Sequence, residues 1–150
     1  MRLTRQQAGF SLIELLIVVA IIGIIAAIAI PRLLASRRAS NEAAAIGSLR
    51  TIGSSQEMYR QIYGDNVNFA SSLADLGPSG VNLLDDVLGG AATVTKSGYQ
   101  FSISNGGLTF DAHAHPSTPG ITGGRYFFMN VPGVIRFDNA GPADANDPSI

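Results

Sequence analysis

A chain of 150 residues, 46% of them hydrophobic and with a formal charge of −1, makes one domain of modest core, and its apolar residues gather at the N-terminus. The near-neutral charge, the scattered arginines and the lack of a base-stacking motif give no basis for a nucleic-acid partner. With no cysteine, there is neither a disulfide framework nor a thiolate metal site.

Residues 1–9, MRLTRQQAG, place Arg2 and Arg5 ahead of the apolar run. The run from Phe10 to Ile30 follows, broken only by Ser11, Glu14, Gly23 and small alanines. As a helix it covers about 30 Å, the thickness of a bilayer core. Its Leu, Ile, Val and Phe residues together favour insertion by roughly 6 kcal/mol, against about 3 kcal/mol opposing for one mid-membrane acid, so it inserts despite Glu14. The run outlasts the roughly 7 to 15 apolar residues of a cleaved secretory signal and ends at Ile30-Pro31-Arg32, as a retained anchor would. Arg2 and Arg5 before it and Arg32, Arg37 and Arg38 after it leave its orientation open.

From Arg32 the apolar run becomes a patterned helix: Ala39, Ala43, Ile46, Leu49, Ile52, Tyr59 and Tyr63 recur at steps built from three and four. The N-terminal element is therefore one helix from Ser11 to Tyr63, apolar all round over 10–31 and amphipathic over 32–63, with Gly64-Asp65 as its stop. Residues 64–98 read as a connecting region with a helical turn or two in FASSLADLG and VNLLDDVLGG. From Tyr99 the period becomes two. YQFSIS, an Asn105-Gly106-Gly107 turn, Leu108 to Ala114, RYFFMN and GVIRFD make an antiparallel meander over 99–150. Its aromatic face needs the amphipathic half of the helix as cover, which gives an α+β fold.

His113 and His115 share a strand face, a pair suited to a metal but more often only a solvated face. The C-terminal loop carries Asp138, Asp144 and Asp147 among Asn and Pro residues. Such oxygens suit Ca²⁺, though not at the spacing of an EF-hand, and the alternative is a mobile acidic tail. No nucleophile, base and orienter converge and no P-loop is present, so no catalytic residue is assigned.

The order Gly9, Phe10, Ser11, Leu12, Ile13, Glu14, Leu15, Leu16, a long apolar run and Pro31, behind a basic leader, resembles the prepilin signature of type IV pilins and of the pseudopilins of type II secretion. The resemblance implies a pilin-like fold, one long N-terminal helix packed on a small antiparallel meander. It also implies that a prepilin peptidase cuts after Gly9 and methylates the new amine of Phe10, with the leader cytoplasmic and residues 32 onward outside. The precursor would sit in the inner membrane and join identical subunits in a helical homopolymer through an inner-membrane assembly platform. The filament would then be extracellular, or periplasmic for a pseudopilin. A third reading is a single-span surface protein that never polymerises.

On this resemblance Glu14 gains a partner that cleavage creates, the α-amine of Phe10, within its own chain or in a neighbour. Pro31 removes a helix hydrogen bond and Gly23 costs about 1 kcal/mol relative to Ala, so residues 23–31 are the weakest stretch, expected to kink in the subunit and to melt in the filament. Many pilins close the C-terminal loop with a disulfide that this chain cannot form. Major pseudopilins also lack it, and bind calcium near that terminus.

Overall fold

In the computed structural model, which describes Gly9–Ile150, the chain divides into two compact units, residues up to Ser36 and Arg37–Ile150. Of the expected leader, residues 1–9, all but Gly9 lie outside the described residues. One helix, α1 (Leu12–Ile62), contributes to both units. At 1.5 Å per residue it is about 75 Å long. It starts where the Leu15 amide donates to the Ser11 carbonyl. It stops where Asp65 and Asn66 take φ of 53° and 60° and the Gly64 amide reaches back to the Tyr59 carbonyl. Glycine ends the helix as expected, but the left-handed turn falls on the two residues after it.

The second unit packs the rest of α1 against a sheet. After α1 come two single-turn helices, α2 (Leu73–Leu76) and α3 (Asp86–Gly89). Ser72 and Asp75 form a reciprocal capping box at the start of α2, and the Asp85 carboxylate caps α3 through the Leu88 amide. These are the expected helical turns of 64–98. The sheet has five strands, β1 (Thr93–Lys96), β2 (Tyr99–Ser104), β3 (Asp111–Pro116), β4 (Tyr126–Asn130) and β5 (Ile135–Asp138), antiparallel and in chain order. β1 lies inside the stretch read as a connection. It pairs Val94 with Phe101 and turns at Ser97 and Gly98, both at positive φ. That is the backbone of a tight hairpin, and Ser-Gly beside Thr-Val-Thr was its signal.

Asn105-Gly106-Gly107 does not make a two-residue hairpin. The link between β2 and β3 runs to Phe110, Phe69 bridges to Gly107, and Leu108 is left exposed. In the core, register sets large against small: Phe101 and Phe127 flank Ala114, while Ile103 and Met129 flank Ala112. Ala45, Leu49 and Ile52 of α1 join them, fully buried. Ile46 and Tyr59 of the expected stripe are half-buried, whereas Ala39, Ala43 and Tyr63 are exposed. Polar residues Ser48, Ser55 and Gln56 are buried in their place.

β5 is not left as an open edge. The tail doubles back, so that the Phe137 amide donates to the Pro148 carbonyl and the Ile150 amide to the Ile135 carbonyl, each at 3.0 Å. The Arg136 guanidinium also reaches the Asp147 carbonyl at 2.6 Å. Backbone pairing thus closes the terminus that has no disulfide.

Candidate functional site

The first unit has no core of its own. Phe10, Leu12, Ile13, Leu15, Leu16 and the aliphatic residues that follow are 44–81% exposed as far as Ile30. One such stretch, at the N-terminal end of α1, is long and apolar enough to cross a membrane. An apolar surface on every side of a helix is stable only in lipid or against other apolar helices.

Glu14 stands in the first turn of α1, one turn beyond Phe10, where the partial positive charge of the helix start favours an acid. No cation lies within salt-bridge distance of it among the described residues. Gly9 precedes the helix and is exposed, with nothing within 4 Å of where a side chain would begin, so its backbone is open to an approaching enzyme. Gly23 is equally open on the helix surface. α1 stays helical through Gly23 and Pro31.

Within the second unit, four polar side chains of α1 that the apolar spacing did not reveal tie the helix to the rest of the fold. Glu42 accepts from the Gly124 amide at 2.9 Å and from Arg125 Nε at 2.8 Å, and Asn41 Nδ2 donates to the Thr122 carbonyl. Ser55 Oγ donates to the Leu83 carbonyl. Gln56, fully buried, both donates to and accepts from the backbone of Ala70.

The three tail aspartates are occupied by amides. Asp138 accepts from the backbone of Asn139, Ala140 and Gly141, Asp147 from the Asp144 amide, and Asp144 from the Asn146 amide. They act as turn formers. The fold does not gather them into a ligand set: no cluster of three or more metal-capable side chains occurs among the described residues.

His113 and His115 do share a face of β3, their rings 5.7 Å apart, with His113 against Phe128 and His115 against Tyr126. His113 Nδ1 and His115 Nε2 are buried without a hydrogen-bond partner. Burial holds both imidazoles below the ordinary 6.5. Asp111 opposes this at His113, and the neighbouring His113 adds to it at His115. A base whose pKa falls on folding binds protons more readily unfolded, so its contribution is complete above pH 6.5 and is lost as pH falls below that value. Melting of the protein in detergent is expected to weaken from pH 7 to pH 5, and the His113→Gln/His115→Gln variant to flatten that slope. A slope that persists in the variant assigns it to other groups.

The geometry defines a subunit that carries a folded head on a helix whose other half is built to be covered. The prokaryotic N-terminal methylation motif matches residues 4–30. The type IV wide pilus major component PilA4 of Thermus thermophilus is 36% identical over 138 residues, which is 91% of this chain and 92% of that one. The type II secretion system core protein G of Pseudomonas aeruginosa is 38% identical over 56 residues, 37% of this chain and 39% of its own. The type IV major pilin protein PilA of Myxococcus xanthus is 40% identical over 70 residues, 45% of this chain and 32% of its own. No solved structure matches the chain. The chain belongs to the type IV pilin family.

Proposed function

We propose that the chain is the major structural subunit of a type IV pilus-type filament, held in the inner membrane by Phe10 to Ile30 until an assembly platform extracts it. The observation that carries this is the bare apolar half of α1, in a chain whose similarity to a pilus major component runs over 138 residues, 91% of its length, and so takes in the head. The pseudopilin match covers little more than a third of the chain, so the second reading, a type II secretion pseudopilus, has less of the head behind it. A contact between unlike faces that does not close on itself builds an open helical fibre. The subunit does no chemistry; what it supplies is shape.

In this reading a prepilin peptidase cuts after Gly9 and methylates Phe10, and the new amine meets Glu14 of the adjoining subunit. Gly23 to Pro31 is where the helix yields as subunits pack. In this reading the tail is held without calcium, by turns and backbone pairing in which its carboxylates and carbonyls accept from amides. Calorimetry on the detergent-solubilised protein with millimolar Ca²⁺ is expected to show no heat of binding. A saturable heat that is lost in Asp138→Asn would restore the calcium site. The main test is electron microscopy of sheared surface material together with mass analysis of its N-terminus. Filaments of this chain beginning at a Phe10 one methyl heavier support the function, and a chain that stays monomeric in the membrane refutes it.

A further inference from the structure

Two features of the head are left unused by its own fold, and they stand at different levels along α1. The first is a groove of about 720 Å³. Its floor is made of core side chains, Phe69, Phe110 and Met129, and its wall is the turn at Val131 and Pro132. Gly53 sets its depth on the α1 side: a Cβ there would lie 2.8 Å from the Met129 methyl. Val131 is 43% exposed at the lip and Arg50, Ser54 and Glu57 line the α1 side, so the groove is a recess with an apolar floor and a polar flank, open to water.

The second is the loop between β3 and β4. Ile121 is 60% exposed at its tip. The loop beneath it is stiff: the Thr118 amide donates to Thr122 Oγ1, the Ile121 and Thr122 amides both donate to the Thr118 carbonyl, and the Gly120 amide donates to the Gly123 carbonyl. Asn41 and Glu42 then tie its far side to α1. An exposed isoleucine on a braced loop loses little conformational freedom when it is buried by a partner.

The loop is anchored at Asn41 and Glu42 and the groove lies at Gly53 to Glu57, so the two are offset by about 20 Å along α1. A fibre of identical subunits requires such a pair, two unlike patches offset along its axis. Both patches are built on the element whose other half forms the filament core, so the contact would continue that interface outward. Between them α1 turns Ala43 and Gly47 to solvent, and nothing stands within 4 Å of a Gly47 Cβ, which leaves room for a neighbour to lie along this face. The loop from Ser117 to Gly124 has no charged residue, so it brings no like charge to the Arg50 and Glu57 that line the α1 side of the groove.

We propose that the Ile121 loop of one subunit seats in the Gly53–Pro132 groove of another copy of this chain in the filament. The proposal rests on the polymer reading above and names the head contact that reading leaves undefined. The absence of cysteine makes the test clean, because Ile121→Cys/Val131→Cys introduces the only thiols. Filaments of this variant treated with a short bis-maleimide are expected to give a ladder of covalent dimers, trimers and longer species on denaturing gels. Each single variant, and the double variant dissociated in detergent before treatment, are expected to stay monomeric. Intact filaments with both thiols modified and no ladder would overturn the contact while leaving the polymer standing, whereas absence of filaments in the unaltered protein would overturn the polymer itself. Ile121→Asp covers the case in which the double variant fails to assemble. Its melting is expected to match that of the parent while its filaments fall apart at least tenfold faster in detergent, and equal persistence counts against the contact.

Discussion

Glu14→Leu is expected to yield a protein that enters the membrane, is cleaved and methylated normally, and builds no filaments. Insertion improves, because an acid within the span costs up to about 3 kcal/mol there and leucine favours the bilayer. The proposed processing acts at Gly9 and Phe10, before the helix begins at Leu12. In the proposed filament, what disappears is the carboxylate paired with the new α-amine of an adjoining Phe10. Removing one member of a charge pair in an apolar bundle leaves the other uncompensated, a loss of about 3–5 kcal/mol for each contact. Every subunit added meets that loss once, so it falls on elongation at each step. Glu14→Gln separates charge from shape, since it keeps a side chain of the same size that can hydrogen-bond, and it too is expected to abolish or sharply reduce filaments. The measurement is the quantity of sheared filaments against the processed membrane pool, read by mass spectrometry of the N-terminus. Wild-type quantities of filament from a correctly processed Glu14→Leu chain would show that the acid has no part in assembly.

The same stretch shows why some of this protein is legible in its sequence. An apolar run needs lipid or other apolar helices around it and a lone acid in it needs a partner, so both the candidate span and the oddity of Glu14 follow from residue type alone. The amphipathic half of α1 was harder. Its period placed Leu49 and Ile52 correctly, but Ala39 and Ala43 are exposed, because alanine suits a buried and a bare face equally well. Gln56 and Ser55 are buried for the opposite reason: their partners, Ala70 and Leu83, lie 14 and 28 residues further on, and no local pattern reports that distance. β1 has only four residues, and its pairing with β2 rather than its own composition makes it a strand. The tail is ambiguous by chemistry: three aspartates in a loop of Pro, Gly and Asn suit both calcium and turns, and residue type alone does not choose between them, whereas the fold shows each one accepting from backbone amides of its own turn.

Gln56→Leu is expected to cost the head about 2–4 kcal/mol although leucine fits the volume and the helix. Gln56 is fully buried; its Nε2 donates to the Ala70 carbonyl at 3.0 Å and its Oε1 accepts from the Ala70 amide at 2.9 Å. One side chain thus does for Ala70 what a neighbouring strand would do. Ala70 is itself 2% exposed, so water cannot replace the lost partner, and each orphaned backbone group costs about 1–3 kcal/mol. Leucine recovers part of this through its transfer from water, which keeps the estimate below the full sum. For a unit of this size the melting temperature should fall by roughly 10 °C, followed by circular dichroism in detergent. Gln56→Glu is expected to be at least as damaging at neutral pH, because a carboxylate can accept from the amide but cannot donate to the carbonyl and is buried without a cation. A Gln56→Leu midpoint within about 2 °C of the parent would mean that the segment shifts to find other partners. Ala70 follows Phe69 directly, and Phe69 forms part of the groove floor. Loss of the Gln56 link should therefore also loosen the groove, and filaments of this variant should dissociate faster than its lowered melting point alone would explain.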